Sequence, residues 1–409
     1  MHIWLIKVGE PLPFDRKIRR LRTALLAEKL IERGHSVTWW TSAWDHFNKK
    51  WLYNHDESIT LDNGLKMTLL RGLGYKKNIS PSRFIDHRII ARKFKAAAPL
   101  NMKPDVIVTS LPPHDLAYQS VIFANKYDIP VIVDIRDPWP DIFLRHIPRG
   151  LRNIAKLLFH NDFRMTAETM RRADGLIAVN KTFLEWGLSY AGRVRNQNDR
   201  VYHLGGENLK RHRENPSGRP GFIDPLSGKF VVTFIGTFSH YHNPAVLIDA
   251  AKLLQDNEKI HFVLAGNGLF HDEIKKRAST LSNVTLPGWL GHDDIIALLR
   301  SSHVGVCTTP QEIDLFPNKA FTYFSAGLPV LSSFQGELRD ILDKHHVGCT
   351  FPPKDAQTLA SQIVTLYNDP VRHQHMSRRA LSLFSDLFDA DNIYTAYAEH
   401  IEQLAGKHE

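Results

Sequence analysis

Residues 314–329 read DLFPNKAFTYFSAGLP, and the positions of their proline and glycine residues predict where a helix begins and ends. Pro317 suits the first position of a helix, Gly327 suits a left-handed exit, and Pro329 cannot continue the helix. The apolar segment HVGVCTT precedes this helix and PVLSS follows it. The order strand, helix, strand is the repeating unit of a parallel sheet. The stretch therefore predicts an α/β fold.

The start of this predicted helix has no capping side chain, because Phe316 stands before Pro317. The N–H groups of the first turn then need some other partner. Lys319 lies in the same turn, so the positive end of the helix dipole and an ammonium group come together. This combination suits a phosphate, although a buried helix satisfied by water or a neighbouring loop would have the same sequence.

The same alternation extends over the whole chain. Strands are predicted at His2–Lys7, Ser36–Thr41, Asp105–Ser110, Ile129–Asp137, Gly175–Asn180, Lys229–Phe238, Ile260–Gly268 and Val347–Phe351. Long helices are expected at about 153–172, 355–367 and 371–384. Residues 206–229 are polar and rich in Gly and Pro, which indicates a linker. We predict an N-terminal domain at 1–205, a C-terminal domain at 230–388, and a final helix within 389–409 that could pack back on the first domain.

Composition is that of a soluble globular protein, with 43% hydrophobic and 23% charged residues in 409. No apolar run reaches the roughly 18 residues of a spanning helix, and the first apolar run ends at Lys7. Two cysteines fit a reducing compartment. These features predict a cytoplasmic location.

Positive charge is concentrated in residues 1–100, which hold 19 Lys+Arg against 9 Asp+Glu. The remaining 309 residues hold 33 against 34. Such a bias indicates an anionic partner: nucleic acid, an acidic membrane surface or a phosphorylated substrate. Aromatic residues and lysines alternate from Trp44 to Tyr53, as they do at membrane interfaces. No recognised nucleic-acid-binding module accompanies the charge, so we predict peripheral contact with an anionic membrane and no nucleic-acid partner.

Six segments resemble, in order, those of the retaining nucleotide-sugar glycosyltransferases of family 4. They are LAEKLIERGHSVTWWTS, VDIRDPWPDI, FVVTFIGTF, LAGNG, FPNKAFTYFSAGLPVL, and GELRDIL with VGCTFPPKD. The resemblance covers essentially the whole chain. Within the family, the sequence is most similar in these segments to the branch that assembles bacterial surface polysaccharides. It implies the α/β GT-B fold, in which two Rossmann-like parallel-sheet domains face a central cleft.

The resemblance implies that the C-terminal domain holds a nucleotide-diphosphate sugar. Asp314 and Thr322 stand where the family carries two glutamates, and Thr237 and His242 stand where it often carries an arginine and a lysine. Lys319 would then meet most of the diphosphate charge, with help from backbone N–H groups. The implied donor-binding residues are Gly9, Gly236, Thr237, Gly266, Asn267, Asp314, Phe316, Pro317, Asn318, Lys319 and Thr322.

A second candidate group, Arg136 to Pro140, lies at the C-terminal end of a predicted strand in the domain that would receive the acceptor. We predict that Asp137 orients or deprotonates the acceptor hydroxyl and that Arg136 supports it or meets phosphate. With Lys319, these two residues form the expected catalytic set. A structural Asp–Arg pair beneath a proline turn is the alternative.

The first loop of the chain contributes two further candidates. Gly9 would give backbone access to a substrate, and Glu10 and Arg16 beside it are predicted to bind the acceptor. A simple tight turn would account for the same residues.

The resemblance implies a retaining transfer of a hexose or N-acetylhexosamine from a nucleotide-diphosphate sugar, which we expect to be a uridine one, to a lipid-linked glycan for O-antigen, capsule or exopolysaccharide. The alternatives are a nucleotide-sugar 2-epimerase of the same architecture and a non-catalytic sugar-nucleotide-binding protein. The D-x-D at Asp389 to Asp391 is interpreted as a helix cap, and no metal or other cofactor is expected.

Overall fold

The computed structural model of the chain describes residues 1–14, 20–144, 147–209, 220–312 and 315–406. The chain separates into two compact units. The first contains Met1–His203 and Ile393–Glu409, and the second contains Leu204–Asn392. Of the predicted linker, residues 210–219 lie outside the described part, whereas Leu209 and Leu226 are buried in the core of the second unit.

The described part of the first unit contains ten strands. They are β1 (His2–Ile6), β2 (Ser36–Ser42), β3 (Trp44–Asp45), β4 (Lys50–Trp51), β5 (Glu57–Thr60), β6 (Lys66–Leu70), β7 (Val106–Leu111), β8 (Val131–Ile135), β9 (Gly175–Ala178) and β10 (Arg200–Val201). Eight form one sheet in the order β10-β9-β8-β7-β1-β2-β6-β5, and β3 pairs with β4 separately. All neighbours in the large sheet are parallel except β5 and β6.

Helices cover this sheet. They are α1 (Arg22–Glu32), α2 (Pro81–Ala97), α3 (His114–Lys126), α4 (Asp141–Leu144), α5 (Arg152–Leu158), α6 (His160–Arg172) and α7 (Lys181–Ala191). Strands β7 and β8 are buried at every residue, as expected for strands covered on both faces. The predicted single helix at 153–172 is wrong in one respect, because Phe159 interrupts it between α5 and α6.

Among the residues described in the second unit, six strands form one sheet. They are β11 (Phe230–Ile235), β12 (Ile260–Ala265), β13 (Val284–Gly288), β14 (Val304–Cys307), β15 (Val330–Ser332) and β16 (Gly348–Thr350). Their order is β13-β12-β11-β14-β15-β16, and every neighbouring pair is parallel. The α/β class with two parallel-sheet units is therefore confirmed.

The helices of the second unit follow its strands. They are α8 (Ala245–Leu253), α9 (His271–Ala278), α10 (His292–Arg300), α11 (Lys319–Ser325), α12 (Glu337–His345), α13 (Ala356–Asn368) and α14 (Pro370–Leu383). The last helix, α15, spans Ala390–Ala405. Asp389 caps its start, because the Asp389 carboxylate accepts a 3.0 Å hydrogen bond from the Asp391 amide. The cap interpretation of the D-x-D is thus confirmed.

Helix α15 contacts the rest of the first unit through several side chains. The Tyr397 ring stacks on that of Tyr202 with centroids 4.8 Å apart, and Arg33 forms an ion pair with Glu402 at 2.7 Å. These contacts account for the grouping of residues 393–409 with the first unit.

Candidate active site

The candidate donor residues of the second unit lie where β11 and β12 end in two glycine loops. A Cβ atom at Gly266 would stand 1.9 Å from the Gly236 carbonyl oxygen, so only glycine permits this approach of the two loops. The Gly236 amide donates to the Ala265 carbonyl at 3.0 Å, and the Gly266 amide donates to the Gly288 carbonyl at 2.7 Å. The Gly236 amide is therefore already used within the sheet, and backbone N–H groups that help Lys319 would have to come from neighbouring residues.

A backbone hydrogen bond joins the two loops. The Phe238 amide donates to the Asn267 carbonyl at 2.9 Å, while the Asn267 side chain accepts from the Gly268 amide at 2.7 Å. The side chains of Thr237 and Asn267 lie at the surface. The two loops thus form one joined edge of the sheet.

The ammonium of Lys319 lies beneath this edge without a hydrogen-bond partner among the described residues. Its Nζ is buried and stands 3.5 Å from the centroid of the Phe234 ring. It also lies 3.4 Å from where a Cβ atom of Gly236 would be. Burial lowers the pKa of Lys319 to about 7.

The start of helix α11 differs from the prediction. Asn318 is its N-terminal flanking residue and the helix begins at Lys319, two residues after Pro317. No side chain in the described part of the chain caps it, as predicted. However, the amides of Ala320 and Phe321 donate to the carbonyls of Pro317 and Asn318 at 3.0 and 3.2 Å. Fewer N–H groups are therefore free than the sequence indicated, and the Lys319 charge becomes the main feature.

The remaining donor candidates have different surroundings. Phe316 stacks on Phe321 with centroids 4.7 Å apart, so its ring belongs to the core of the second unit. Thr322 is half-buried, and its carbonyl accepts from the Ser325 hydroxyl at 2.8 Å. Asp314 lies outside the described residues. Burial and the nearby Lys319 charge lower the pKa of His242 to about 4, so this imidazole is neutral at pH 7.

In the first unit, Arg136 is committed to an internal network. Its guanidinium donates to Asp134 at 3.0 Å and to the Thr23 hydroxyl at 2.9 Å, and it forms an ion pair with Glu10. Glu10 also accepts from the Thr23 amide at 3.0 Å at the start of α1. Both predicted roles, phosphate contact for Arg136 and acceptor binding for Glu10, would require this network to open.

Sequence reasoning did not find Arg22, which completes the network. Its guanidinium makes a two-pronged contact with Asp134 at 2.9 Å and donates to the Tyr202 carbonyl at 2.7 Å. The ring of Tyr397 lies 5.0 Å away on α15. Arg22 is the first residue of a helix that the pattern did predict, but no local signal distinguishes it from a solvated arginine.

Asp137 differs from its neighbour. Its side chain is exposed and makes no hydrogen bond or ion pair with the part of the chain that the structure describes. Desolvation nevertheless raises its pKa, against the lowering effects of Lys7, Arg83 and Arg136. A carboxylate of raised pKa that is free to contact a hydroxyl has the properties of a general base.

The first loop supplies one more predicted residue in place. Gly9 has φ +82°, a conformation that favours glycine, and a Cβ atom there would lie 3.8 Å from the His46 ring. Arg16 lies outside the described residues. Lys7, which directly follows β1, was not selected as a candidate site residue from the sequence. A single charged residue at the end of an apolar strand was a signal that could have identified it.

Comparison with known proteins agrees with this geometry. Residues 22–204 match the model of Glycosyltransferase Family 4, and residues 229–369 match that of Glycosyl transferases group 1. The chain belongs to the family 4-like glycosyltransferases. Within this family it is 25% identical over 167 residues to the O-antigen chain mannosyltransferase C of Escherichia coli. That match covers 40% of this chain and 44% of the relative, so the chain spans less than half of that protein's length.

Solved structures show the fold of this family 4-like glycosyltransferase. The Anabaena protein HepE in complex with UDP superposes with a TM-score of 0.69 at 17% identity, covering 98% of this chain and all of that one. Sucrose-phosphate synthase of Thermosynechococcus elongatus gives 0.71 at 16% identity, covering 99% of each chain. The fold is GT-B, as the resemblance implied.

One group in this glycosyltransferase has the composition of a metal site. His114, Asp115 and Asp162 each offer a ligand atom, and these atoms lie within 4.8 Å of one another. The His114 imidazole and the Asp162 carboxylate share a 2.6 Å hydrogen bond, and Arg88 lies 3.6 and 3.5 Å from the two carboxylates. An arginine already balances these acids, so a metal is not needed to explain the group.

Proposed function

We propose that this protein is a retaining glycosyltransferase that moves a hexose or N-acetylhexosamine from a uridine-diphosphate sugar to a lipid-diphosphate-linked glycan in bacterial polysaccharide synthesis. The family supports the transfer, and the names of the similar proteins support the substrates: one is an O-antigen mannosyltransferase and another binds UDP. The observation that carries the proposal is the buried ammonium of Lys319.

Burial of an ammonium without a hydrogen-bonding partner is unfavourable, because desolvation is not repaid. The Phe234 ring offsets only part of this cost through its π face. A diphosphate at the joined glycine loops would restore the missing partner and raise the pKa of Lys319 again. The side chain is thus suited to binding a group that the protein itself does not supply.

The same charge would assist the chemistry. Breaking the bond between sugar and diphosphate leaves negative charge on the departing phosphate, and a fixed ammonium in a dry environment stabilises that charge as it develops. Asp137 would accept the proton of the attacking hydroxyl, which adds to the same face of the sugar that the diphosphate leaves.

Incubation with a panel of UDP- and GDP-sugars tests this function. With bacterial membrane lipid extract present, we expect a radiolabelled sugar to move from one UDP-sugar into the lipid fraction. Isomerisation of a donor without acceptor would instead identify an epimerase. UDP binding with no turnover of any donor would identify a binding protein. Either result contradicts the proposed transfer.

Peripheral membrane contact is part of this proposal, and exposed apolar side chains on and beside α5 support it. Leu151 and Ile154 are more than half exposed, while Leu157 and Leu158 are 76% and 78% exposed. Residues 142–161 contain four Lys or Arg and no Asp or Glu, which suits an anionic lipid surface. No helix within the described ranges is long and apolar enough to cross a membrane.

The aromatic segment predicted for this contact is used differently. Trp44 and Trp51 pack against each other with ring centroids 4.9 Å apart, and a Cβ atom at Gly74 would come within 3.0 Å of both rings. Only Phe47, at 57%, is strongly exposed among the aromatic residues of this hairpin. We therefore place the main apolar contact on α5.

Changing Leu157 and Leu158 together to serine should weaken binding to vesicles containing phosphatidylglycerol by about tenfold or more, because two apolar side chains no longer enter the interface. Co-sedimentation with vesicles of 30% phosphatidylglycerol measures the effect, and Leu253→Ser, which changes an exposed leucine of the second unit, is the control. Equal binding by the double variant and the native protein would exclude α5 from the contact.

A further inference from the structure

Three cations of the first unit lie near one another without a carboxylate partner. Lys7 and Arg83 both act on the pKa of Asp137, and Lys49 and Arg83 both act on that of His46. None of the three forms an ion pair with any residue in the described ranges. This is unusual because arginine and lysine are seldom buried unless they are paired, and Lys7 is only 9% exposed.

Aromatic rings hold two of these cations in place. The Lys49 Nζ and the Arg83 guanidinium carbon lie 5.0 and 5.5 Å from the centroid of the Tyr75 ring. Arg83 also lies 4.8 Å from the centroid of Trp139, the residue two positions after Asp137. A π face attracts a cation but does not neutralise its charge. The full positive charge therefore remains available to a ligand.

Backbone and amide oxygens complete this arrangement. Lys7 donates to the Pro112 carbonyl at 3.0 Å, at the end of β7. Lys49 donates to the Asn78 side chain at 2.5 Å and Arg83 to the Asn78 carbonyl at 2.7 Å. The Nε of Arg83 is buried and has no partner among the described residues. Donors thus remain that the protein does not use.

Nearby acids do not offset these charges directly. Asp86 accepts from the Leu73 and Gly74 amides, each at 2.7 Å, and Asp45 accepts from the amides of residues 47 and 48 at 2.9 Å. Both carboxylates are therefore already engaged, and the second oxygen of Asp45 accepts from the Asn48 side chain at 2.7 Å. His46 is neutral at pH 7, because burial and the surrounding cations lower its pKa to about 4. The only acid left facing the cations without hydrogen bonds of its own in the described structure is Asp137.

We propose that Lys7, Lys49 and Arg83 bind a phosphate or diphosphate ester group of the acceptor, beside Asp137. This inference rests on the proposed transfer, and it adds the residues that would hold the charged group of the acceptor. Strand order places the site, because β8, β7 and β1 are neighbours and their carboxyl ends carry Asp137, Pro112 and Lys7. An anion held by these cations would fix the acceptor hydroxyl within reach of the carboxylate.

Titration of inorganic pyrophosphate and of farnesyl diphosphate by calorimetry tests the site. The full-length Lys319→Met protein is used, so that binding at the donor residue does not contribute. We expect both anions to bind, and Arg83→Gln and Lys49→Gln each to weaken binding by about 10- to 100-fold. Lys50→Gln, which removes an exposed charge from the same hairpin, should leave binding unchanged. Tighter binding of the farnesyl ester identifies a lipid diphosphate, and equal binding identifies the phosphate group alone.

The inference is overturned if neither anion binds at millimolar concentration, or if both variants bind as tightly as the parent protein. Lys49→Gln keeps the test valid should Arg83→Gln unfold, because Lys49 is only partly buried and lies in a short hairpin. A thermal melt will report whether each variant is folded. UDP binding to the native protein is measured separately. If the native protein does not bind UDP, only the assignment of the donor site is contradicted. The two proposals can therefore fail independently.

Discussion

Lys319→Met should weaken UDP binding by about 10- to 100-fold and also make the unliganded protein more stable by about 1–3 kcal/mol at pH 7. The two effects have one cause. The ammonium is buried without a hydrogen-bond partner among the described residues, and methionine fills similar space without a charge to desolvate. Calorimetric titration and urea unfolding measure the two quantities. A lysine with a purely structural role would stabilise the fold, and its replacement would lower stability. A Lys319→Met protein that is less stable than the native protein would therefore contradict the assignment of Lys319 to the donor site.

The lowered pKa of Lys319 predicts how stability and UDP affinity change with pH. The Lys319 pKa of about 7 in the folded state lies below its ordinary value of 10.5, so the unfolded state binds more protons between these pH values. The stability of the native protein should therefore gain a contribution as pH rises through this range, and Lys319→Met should lack it. UDP affinity should fall above pH 7 as the free ammonium loses its proton.

Lys319→Arg provides the matched variant, because a guanidinium stays protonated throughout this range. Its UDP affinity should not decline between pH 7 and 9 as that of the native protein does. Lys275→Met, at an exposed lysine on α9, is the control for loss of charge and should change neither affinity nor stability. An identical pH profile for the native and arginine proteins would remove Lys319 from the donor site.

Asp137→Asn should lower kcat by about 10²- to 10⁴-fold while UDP binding stays unchanged. An amide keeps the shape of the side chain but cannot accept the proton of the acceptor hydroxyl. Because desolvation raises the pKa of Asp137, native activity should fall on the acid side as this carboxylate becomes protonated, and the residual activity of the variant should lack that limb. Steady-state rates of sugar transfer between pH 4 and 8 measure both effects.

Asp62→Asn makes the same chemical change at an exposed position and should retain full activity. A decrease in kcat of less than about threefold for Asp137→Asn would exclude its role as base. A higher KM for the acceptor with an unchanged kcat would instead assign Asp137 to acceptor binding. The KM of the Arg83→Gln variant can then be compared with that of Asp137→Asn.

Local signals were sufficient for most of the fold. Largely apolar runs of five or six residues predicted β7, β8, β11 and β12, because a strand covered on both faces has an almost continuous apolar sequence. The same signals failed at Phe159, where no proline or glycine marks the interruption between α5 and α6. They also missed β5, whose alternating half-buried pattern is that of an edge strand.

The sequence by itself predicted the parallel α/β architecture, the glycines of the joined loops and Lys319 as a candidate site residue. Only the tertiary structure decided what the charges do. Arg136 pairs with Glu10, 126 residues earlier, and Lys319 loses its hydration over Phe234, 85 residues earlier. Periodicity and turn chemistry act between near neighbours, whereas the pairing or isolation of a charge depends on which strand ends adjoin. The order of strands in the sheet sets that adjacency, and it is fixed by packing across the whole unit.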